Sequence, residues 1–574
     1  MIDKNPCIVQ KNILMLIRAA TNYLRNHFLL IIIIATGLLL RVLGISYGLP
    51  LWLVGDEPPF VLAALKMIEL GTVLPVLHQK EFADFFYFAP LLSYAYLPFF
   101  VAISGVKFLL FSGNSDAFVR ALLHDLSAFF IAGRIFSVLT GTATVLLLYK
   151  VARNIFVKKS IALLAAAFLS FSTSHVLLSH FGRDWIAATF FFVLALFVLT
   201  HPRIPVHKRY LITALIAGVG FGISVVSAFI PVFTALWILW CEKKPVAEML
   251  RMKSLWASGA LFLALAATSV ALFPAGFFLT EAHSLGAQKS FAGLARAYVA
   301  FGRPLLLSEP FLVFWAIVGS VFLFRRRRAL CWTFCAFIGA YVAVFYMVLR
   351  IADRFAIYMF PIFSLLAGYG LFKLWGTFPR VRKAVAALGA VSMLFIFASS
   401  IKLDIVLLRN DTRIQARRWV ERYVPEGAKI VVLAPLTRLP ITPAAFKEQE
   451  KIDTSSLRRV DIAEGDEKEP RKLFRPAFHA LNLYTVSNND FYDTIGDYIK
   501  ERDYRYALVS NEVFPRNESK NYARDSLKIG GTLLQKFIGQ DTEQYDLTEG
   551  TITNLGHFLR MRNNGPTMHI YQYR

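Results

Sequence analysis

"HFLLIIIIATGLLLRVLGISYGLPLWLVGDEPPF", residues 27–60, joins a long apolar run to two adjacent carboxylates and two prolines. The apolar part, residues 27–46, has the length that a helix needs to cross the hydrocarbon of a bilayer. No small-residue cleavage site follows it, so the pattern predicts an uncleaved first membrane span rather than a signal peptide. Asp56 and Glu57 then lie just beyond the span, where a charge is costly and is therefore a candidate for function.

The composition agrees with a chain that lies mostly in lipid. Of the 574 residues, 56% are hydrophobic and 17% are charged, and the mean hydropathy is +0.52. A soluble protein cannot bury that much apolar surface. The net charge of +24 does not indicate nucleic acid, because Lys and Arg collect on the cytoplasmic loops of membrane proteins and contact anionic headgroups there. A basic channel for a phosphorylated lipid is a second source of positive charge.

Apolar segments near the spanning length recur along the chain. They run roughly over 27–46, 88–112, 129–149, 160–180, 185–200, 209–225, 227–241, 254–276, 306–324, 329–350, 354–376 and 384–402. Basic clusters separate them at 149–159, 201–209, 241–253, 325–328 and 373–383. The positive-inside rule places these clusters and the N-terminus in the cytoplasm.

The number of crossings between two cytoplasmic clusters must be even. A single crossing over 210–240 would leave the cluster 241–253 outside, so this stretch is predicted to form two short helices. The run 88–112 is either a re-entrant or surface-lying pair, or one of two extra crossings. We therefore predict a mainly α protein, a polytopic transmembrane bundle of about 11 to 13 spans, with about eleven full crossings favoured and the C-terminus outside the cytoplasm.

The last part of the chain, residues 403–574, is rich in charge and in Asn, Asp and Tyr. "KIVVLAP" (429–435) and "YALVSNEVF" (506–514) are typical of strands, and "DTRIQARRWVERYV" (411–424) of an amphipathic helix that begins at Asp411. The sequence therefore predicts two domains. Residues 1–402 form a transmembrane module with a first outer loop at about 48–128, and residues 403–574 form a soluble extracytoplasmic α/β domain.

Ionisable residues near the ends of the predicted spans lie at one membrane depth. All are at the outer ends in the predicted orientation: Arg41, Asp56, Glu57, Arg134, Arg183, Asp184, Asp353 and Arg354. Snorkelling of side chains to water is the simple alternative, but it is mainly a property of Lys and Arg and does not explain the acidic residues. A shared cleft explains both signs of charge. In it, carboxylates can accept a proton or hold a metal, and arginines can hold a phosphate.

A series of short motifs then follows in a fixed order. They are "GDE" (55–57), "YFAPLL" (87–92), "GRIFSVLTGTATVLLLYKVARNIF" (133–156), "LLSHFGRDWIAATFFF" (177–192), "RFAIYMFPIFSLLAGYGL" (354–371) and "DTRIQARRWVERYVPEGAKIVV" (411–432). The chain resembles the bacterial polytopic glycosyltransferases of the GT-C class, the group that contains protein O-mannosyltransferases and the aminoarabinose transferases of lipid A. The resemblance extends over most of the chain.

The resemblance implies a reaction and its site. A sugar carried on polyprenyl phosphate is transferred, with inversion, to a hydroxyl or amine of a glycan, lipid or protein acceptor at the outer face of a bacterial inner membrane. Asp56 matches the family's catalytic base, with Glu57 beside it, and Asp184 matches a second acidic residue. Arg354 matches the basic residue near the donor phosphate, and we expect Arg183, Arg41 and Arg134 to contribute to the same charge.

Further candidates carry less weight in the prediction. His78 and Lys80 lie in the first loop, where family members place acceptor or metal contacts, so a divalent metal stays open as a cofactor. His180 precedes the pair Arg183–Asp184. A structural alternative for "DEPP" is that Asp56 is the N-cap of a helix with Pro at its first position. The span "GVGFGISVVSAF" (218–229) has Ser where many relatives have Lys, which leaves the acceptor open.

A transporter or flippase of a lipid-linked sugar is the alternative function. Transporters commonly show charges at the midplane, broken helices and inverted repeats. This chain has its charges at one face, no visible repeat and a large outer domain, which favours the enzyme. A third possibility is an enzyme-like relative whose outer domain mainly binds a partner.

The orientation can be tested with fusion proteins. A reporter that is active only in the cytoplasm should be silent when it is fused after Arg574, because an odd number of crossings separates this residue from the cytoplasmic N-terminus. The matched control is the same reporter fused after Arg328, in the predicted cytoplasmic cluster, where it should be active. A strong signal from the fusion at Arg574 would contradict the predicted orientation.

Overall fold

The computed structural model describes most of the chain. The described ranges are 27–82, 89–110, 125–274, 291–348, 353–453, 477–514, 517–540 and 546–573. Within them the protein is mainly helical, with one small sheet in the C-terminal part. Residues 83–88 and 111–124 of the predicted first outer loop, and the end of the predicted span 329–350 at 349–350, lie outside the described residues.

The membrane part is built from helices of very different lengths. In chain order they are α1 (His27–Val42), α2 (Pro58–Leu70), α3 (Gln79–Phe82), α4 (Leu91–Leu110), α5 (Ser127–Phe156), α6 (Lys159–Phe171), α7 (Thr173–Ser179), α8 (Asp184–Thr200), α9 (Val206–Ile223), α10 (Phe229–Trp240), α11 (Val246–Arg251), α12 (Lys253–Leu272), α13 (Phe291–Ser308), α14 (Pro310–Arg326), α15 (Arg328–Val348), α16 (Phe360–Thr377) and α17 (Arg382–Leu408). Several begin with proline in the first turn, where the missing N–H has no cost.

Within the described ranges, six helices are long and apolar enough to cross a membrane, and up to nine if each bent helix pair counts as one span. Three shorter apolar helices add to these, α1, α8 and the segment Val225–Trp240. The protein is therefore a multi-pass membrane protein, while the span number of about 11 to 13 stays a prediction. Within the predicted run 88–112, residues Leu91–Leu110 form one continuous helix, α4, with Pro98 inside it.

The stretch 210–240 forms two helices, as the count of crossings predicts. Helix α9 ends at Ile223, and Ser224 has the extended dihedrals φ −155° and ψ 130°. A 3₁₀ turn, Val225–Ala228, then leads into α10. The break leaves Ser224 at the end of α9, where its hydroxyl can bond to a residue of another helix.

Glycines let helix α16 pack against its neighbours at backbone distance. A Cβ atom on Gly370 would lie 2.5 Å from the Gly319 nitrogen of α14, and one on Gly368 would lie 2.6 Å from the Ala165 nitrogen of α6. Side chains are therefore excluded from both contacts, as is common where membrane helices associate through small residues. Helix α16 is therefore packed closely against both α6 and α14, and most of its residues from Phe360 to Leu371 are buried.

The C-terminal region, residues 411–573, is an α/β unit. Its elements are α18 (Thr412–Tyr423), β1 (Lys429–Leu433), α19 (Pro443–Ile452), β2 (His479–Asn482), α20 (Asn489–Asp493), α21 (Ile495–Glu501), β3 (Tyr506–Ser510), α22 (Glu518–Ile529), β4 (Thr532–Phe537), α23 (Leu555–Arg560) and β5 (Met568–Gln572). The strand order is β2-β1-β3-β5-β4. Strands β1, β2 and β3 are parallel, and β5 is antiparallel to both β3 and β4.

Both strands predicted from the sequence and the helix after Asp411 are confirmed. The Asp411 side chain accepts a hydrogen bond from the Arg413 backbone N–H, which makes it the N-cap of α18. Helix α17 continues to Leu408, beyond the boundary predicted at residue 402. The C-terminal region packs directly on the membrane helices, because Leu547, Ile552 and Phe558 belong to the same buried apolar cluster as the bundle.

The close packing of α16 gives a stability prediction. We expect Gly368→Ala to cost about 1–3 kcal/mol, since the added methyl would overlap the backbone of α6 and force the helices apart. Gly376→Ala is the control in the same helix, because a Cβ there would have no heavy atom within 4 Å. Thermal unfolding in detergent should show a lower Tm for Gly368→Ala only. Equal Tm values for the two variants would contradict the close approach.

Candidate active site

The segment between α1 and α2 positions the two carboxylates. It turns sharply at Gly44 and Gly48, which have φ values of 79° and 74° that other residues rarely adopt. Helix α2 begins after Glu57, which is its N-cap in an αR conformation and makes no side-chain capping bond. Asp56 is therefore not the cap of this helix, and the structural alternative for "DEPP" is wrong in that respect. Its carboxylate has a different partner.

Asp56 lies between two arginines from distant parts of the chain. Arg183 Nη1 donates to Asp56 Oδ2 at 2.5 Å, and Arg354 Nη2 lies 4.0 Å from the same oxygen. The Asp56 side chain is 48% exposed, whereas those of Arg183 and Arg354 are 13% and 21% exposed. The carboxylate thus has one open side, and the two guanidinium groups form a more enclosed wall beside it.

Trp185 supports both guanidinium groups. The guanidinium carbon of Arg183 lies 3.8 Å from the centroid of the Trp185 ring, and that of Arg354 lies 5.3 Å from it. The ring itself is buried, with 4% exposure. Because an aromatic face attracts cations, the ring offsets part of the repulsion between the two positive charges and fixes their orientation. Trp185 is not among the site residues predicted from the sequence, although its place directly after "GRD" was a usable signal.

Asp184 is held by a partner other than Arg183. It is the first residue of α8, and its Oδ2 accepts a hydrogen bond of 2.5 Å from the hydroxyl of Ser224. Ser224 is the residue at the break between α9 and α10. The short contact therefore connects the acidic end of α8 to that break and keeps Asp184 next to the Asp56 cluster.

Glu57 and Arg134 form a closed pair behind the cluster. Arg134 Nε and Nη2 donate to the two carboxylate oxygens of Glu57, each at 2.7 Å, and both side chains are fully buried. The Gly182 backbone N–H also donates to Glu57 Oε1 at 2.7 Å. A pair of this kind is bound by charge and geometry together. Glu57 and Arg134 therefore face each other and not the open side of Asp56, where the sequence prediction had placed them.

Arg41 lies in a second buried cluster. Its guanidinium donates to the backbone oxygens of Gly37 at 2.6 Å and Ser170 at 3.1 Å, and contacts His175 Nδ1 at 2.8 Å. The side chain has no exposed surface. The structure therefore does not bring Arg41 together with Arg183 and Arg354, although all three lie near span ends in the sequence.

The remaining candidates also lie apart from Asp56. Both ring nitrogens of His180 contact backbone oxygens, Nδ1 that of Val176 at 2.8 Å and Nε2 that of Leu43 at 2.5 Å. His78 is 3.9 Å from Glu81 on the first loop, and Lys80 is exposed there. The side chain of Asp353, the neighbour of Arg354 in the sequence, lies outside the part of the chain that the structure describes.

No group of three or more His, Cys, Asp or Glu side chains that could hold a metal ion is present in the part of the chain that the structure describes. The divalent metal left open by the sequence therefore has no ligand set among these residues. What the site offers is a half-exposed carboxylate that can accept a proton and two guanidinium groups that can bind a phosphate beside it.

Comparison with known proteins points to one class of enzyme. The family of dolichyl-phosphate-mannose-protein mannosyltransferases matches residues 117–273, a segment that includes Arg134, Arg183, Asp184 and Trp185. The match confirms that the chain is similar to GT-C glycosyltransferases, as its motifs indicated. No curated protein sequence matches the chain.

Several solved structures are similar to the chain at low identity. The oligosaccharyltransferase of Archaeoglobus fulgidus, tethered with an acceptor peptide, is 13% identical with a TM-score of 0.46, over 89% of this chain and 73% of that one. For its complex with Zn and sulfate the identity is 12% and the TM-score 0.40, over 74% of this chain and 60% of that chain, less than two thirds of its length. ArnT from Cupriavidus metallidurans, bound to undecaprenyl phosphate, is 15% identical with a TM-score of 0.42, over 69% and 72%.

Proposed function

We propose that this chain is a glycosyltransferase that moves a sugar from a polyprenyl-phosphate carrier to an acceptor at the outer face of the membrane, with inversion. The observation that carries the proposal is the approach of Arg183 and Arg354 to one oxygen of Asp56 above the Trp185 ring. The family match over 117–273 supports it, because this segment supplies Arg183 and Trp185. The acceptor is a glycan, a lipid or a protein.

The proposed reaction uses the carboxylate and the guanidinium groups in separate roles. Asp56 accepts the proton of the acceptor O–H or N–H, and the electron pair released forms the new bond to the anomeric carbon. The bond from that carbon to the phosphate oxygen breaks at the same time, and its electron pair leaves with polyprenyl phosphate. The charge that develops on this phosphate is stabilised by a guanidinium group, so no further co-reactant is required.

Arg354 is the proposed contact of the donor phosphate. Arg183 is bonded to Asp56 at 2.5 Å, whereas Arg354 lies at 4.0 Å and so has the looser hold on Asp56. A phosphate beside Arg354 would receive charge-assisted hydrogen bonds from a planar donor. Arg183 keeps Asp56 oriented, and Asp184, fixed by Ser224, contributes a second negative charge beside it.

The proposal also includes the domain division and the other candidate residues. We propose that residues 1–402 are the transmembrane catalytic module and residues 403–574 the extracytoplasmic domain, in a bacterial plasma membrane. Glu57 and Arg134 are proposed to support Asp56 from behind, because their side chains are fully buried and bonded to each other. His78, Lys80 and His180 have no assigned step.

Replacement of Asp56 tests the reaction. Asp56→Asn should reduce sugar transfer by about a hundredfold or more, because the amide cannot accept the proton. The native gene is deleted, and either the wild-type protein or the variant is then expressed in these cells. The measurement is mass analysis of their envelope glycans and lipids. Glu69→Gln is the control, since this carboxylate is 65% exposed at the far end of α2 and paired with Lys66.

Near-normal product from Asp56→Asn, at equal amounts of folded protein, would refute the role of Asp56. If the protein in liposomes moves a lipid-linked sugar from one leaflet to the other and forms no glycosylated product, the transporter alternative is supported instead.

Replacement of Arg354 tests the donor site. We expect Arg354→Ala to weaken the binding of polyprenyl phosphate by about tenfold or more, the scale of a lost charge-assisted hydrogen bond. Arg354→Lys should recover only part of the affinity, because the planar fork is lost. Arg382→Ala is the matched control, since this guanidinium also lies over a tryptophan, Trp375, at 4.9 Å. Unchanged affinity in the folded fraction of Arg354→Ala would rule out the phosphate contact.

A further inference from the structure

We propose that Tyr47 is a positioning residue through which the C-terminal region, residues 411–573, holds Asp56 in its reactive place. The proposal rests on the proposed function, because it assigns a role in the same reaction. Tyr47 lies in the turn segment between α1 and α2 and has 3% exposure. Its hydroxyl contacts the C-terminal region, and its backbone contacts the support of Asp56.

The hydroxyl of Tyr47 has two partners from the C-terminal region. It donates to Asp411 Oδ2 at 2.8 Å, and it accepts a hydrogen bond from Asn564 Nδ2. Burial, followed by the charges of Asp411 and Asp546, raises the pKa of Tyr47 well above its ordinary value. The hydroxyl therefore stays protonated as a donor, and both its donor and its acceptor capacity are used in a region without water contact.

The partners of the hydroxyl are fixed in turn by Arg413. Arg413 Nε and Nη2 donate to the two oxygens of Asp411 at 2.8 and 2.9 Å, and Nη1 lies 2.8 Å from Asp546 Oδ2. Asn564 Nδ2 also contacts Asp546 Oδ1 at 2.8 Å. Burial raises the pKa of Asp546, but the charge of Arg413 outweighs it, so the pKa lies below its ordinary value. These charged contacts form a rigid anchor for Tyr47 at neutral pH.

The backbone of Tyr47 connects this anchor to the support of Asp56. Arg134 Nη1 donates to the Tyr47 carbonyl at 2.6 Å, while Nε and Nη2 of the same guanidinium hold both oxygens of Glu57. Glu57 is covalently joined to Asp56. A shift of the Tyr47 backbone would therefore displace the Arg134 guanidinium and, through it, Glu57, the residue next to Asp56.

The same support includes the partner of Asp56. Glu57 Oε1 accepts from the Gly182 N–H at 2.7 Å, and Gly182 precedes Arg183, which binds Asp56 at 2.5 Å. A displaced Glu57 would thus move Asp56 and Arg183 together. The reactive carboxylate and its guanidinium depend on one buried carboxylate for their relative placement.

A second contact of the C-terminal region lies at the Trp185 ring. Gly550 has a φ of 75°, and a Cβ atom on it would lie 2.9 Å from a ring carbon of Trp185. Since Trp185 supports Arg183 and Arg354, the C-terminal region contacts the cluster from this side as well. Two independent contacts, at Tyr47 and at Gly550, therefore connect this region to the proposed site.

Tyr47→Phe removes the hydroxyl and leaves the buried ring. We expect kcat to fall about tenfold with the KM for the donor unchanged, since a displacement of about 1 Å in a reacting group can cost up to a hundredfold. Tyr492→Phe is the matched control. The Tyr492 hydroxyl is fully buried and donates to the backbone oxygens of Leu483 and Val486 at 2.5 and 2.7 Å, away from Asp56.

The assay uses a panel of polyprenyl-phosphate-linked hexoses and pentoses with envelope extract as the source of acceptor, and rates are expressed per folded molecule. Both variants should show a lower Tm, because each loses a buried hydroxyl with two partners. Only Tyr47→Phe should show a lower kcat. A purely structural role would lower the Tm of Tyr47→Phe and leave its kcat equal to that of the control.

A second variant tests the path. Asn564→Ala removes the other partner of the hydroxyl. If both residues act through one contact, the fold-decrease in kcat of the double variant Tyr47→Phe/Asn564→Ala should be smaller than the product of the fold-decreases of the two single variants. Multiplicative losses would show that Tyr47 and Asn564 act separately, which contradicts the proposed path.

Hydrogen exchange separates this inference from the proposed function. The Leu53 N–H bonds to the Gly48 oxygen and the Glu57 N–H to the Val54 oxygen. Both amides should exchange faster in Tyr47→Phe than in Tyr492→Phe, whether or not an activity is found. Absence of sugar transfer by the wild-type protein would refute the function alone. Unchanged exchange, or a normal kcat in Tyr47→Phe from an active protein, would overturn the positioning role.

Discussion

The Arg134 guanidinium and the Glu57 carboxylate are joined by two hydrogen bonds of 2.7 Å in a place that water does not reach. Removing two charges from water is costly, and only close pairing with further hydrogen bonds compensates that cost. Arg134 obtains them from the carbonyls of Ile45 and Tyr47, and Glu57 obtains one from the Gly182 N–H. Satisfying this pair therefore fixes three separate chain segments around it.

The proposed chemistry depends on the carboxylate that this buried pair leaves exposed, that of Asp56. Asp56 directly precedes Glu57, so when Glu57 is buried toward Arg134, the neighbouring carboxylate lies at the open side with 48% exposure. Gly182 is bound on the buried side, and the residue after it, Arg183, then binds Asp56. The adjacent acidic residues thus have opposite environments. One is the structural partner of Arg134, and the other is the half-exposed carboxylate to which the role of base is proposed.

The C-terminal region is part of this construction and not an appended module. It contacts the turn segment through Tyr47, packs at Trp185 through Gly550, and places Leu547 and Phe558 in the apolar core of the bundle. The α/β unit and the membrane helices that form the proposed site therefore share one buried network.

Local and depth-dependent features of the protein were determined by its sequence. Hydropathy and basic clusters predict the helical membrane part and the two helices around Ser224, and short-range patterns predict the strands and the cap at Asp411. The same depth argument selects Asp56, Arg183 and Arg354, because ionisable residues in or beside membrane spans are candidates for function, but it selects Arg41, Glu57, Arg134 and Asp184 equally.

The pairing of these residues was decided only by the tertiary structure. Arg134 and Glu57 are 77 residues apart, and Asn564 and Tyr47 are 517 apart, and no local pattern records which of several arginines at one depth meets which carboxylate. Hydropathy gives the position of a residue along the membrane normal but not its direction around the helix. That direction depends on how the helices pack, through contacts such as that of Gly368 with α6. Helix packing therefore places Arg41 in a separate cluster and brings Arg354 close to Asp56.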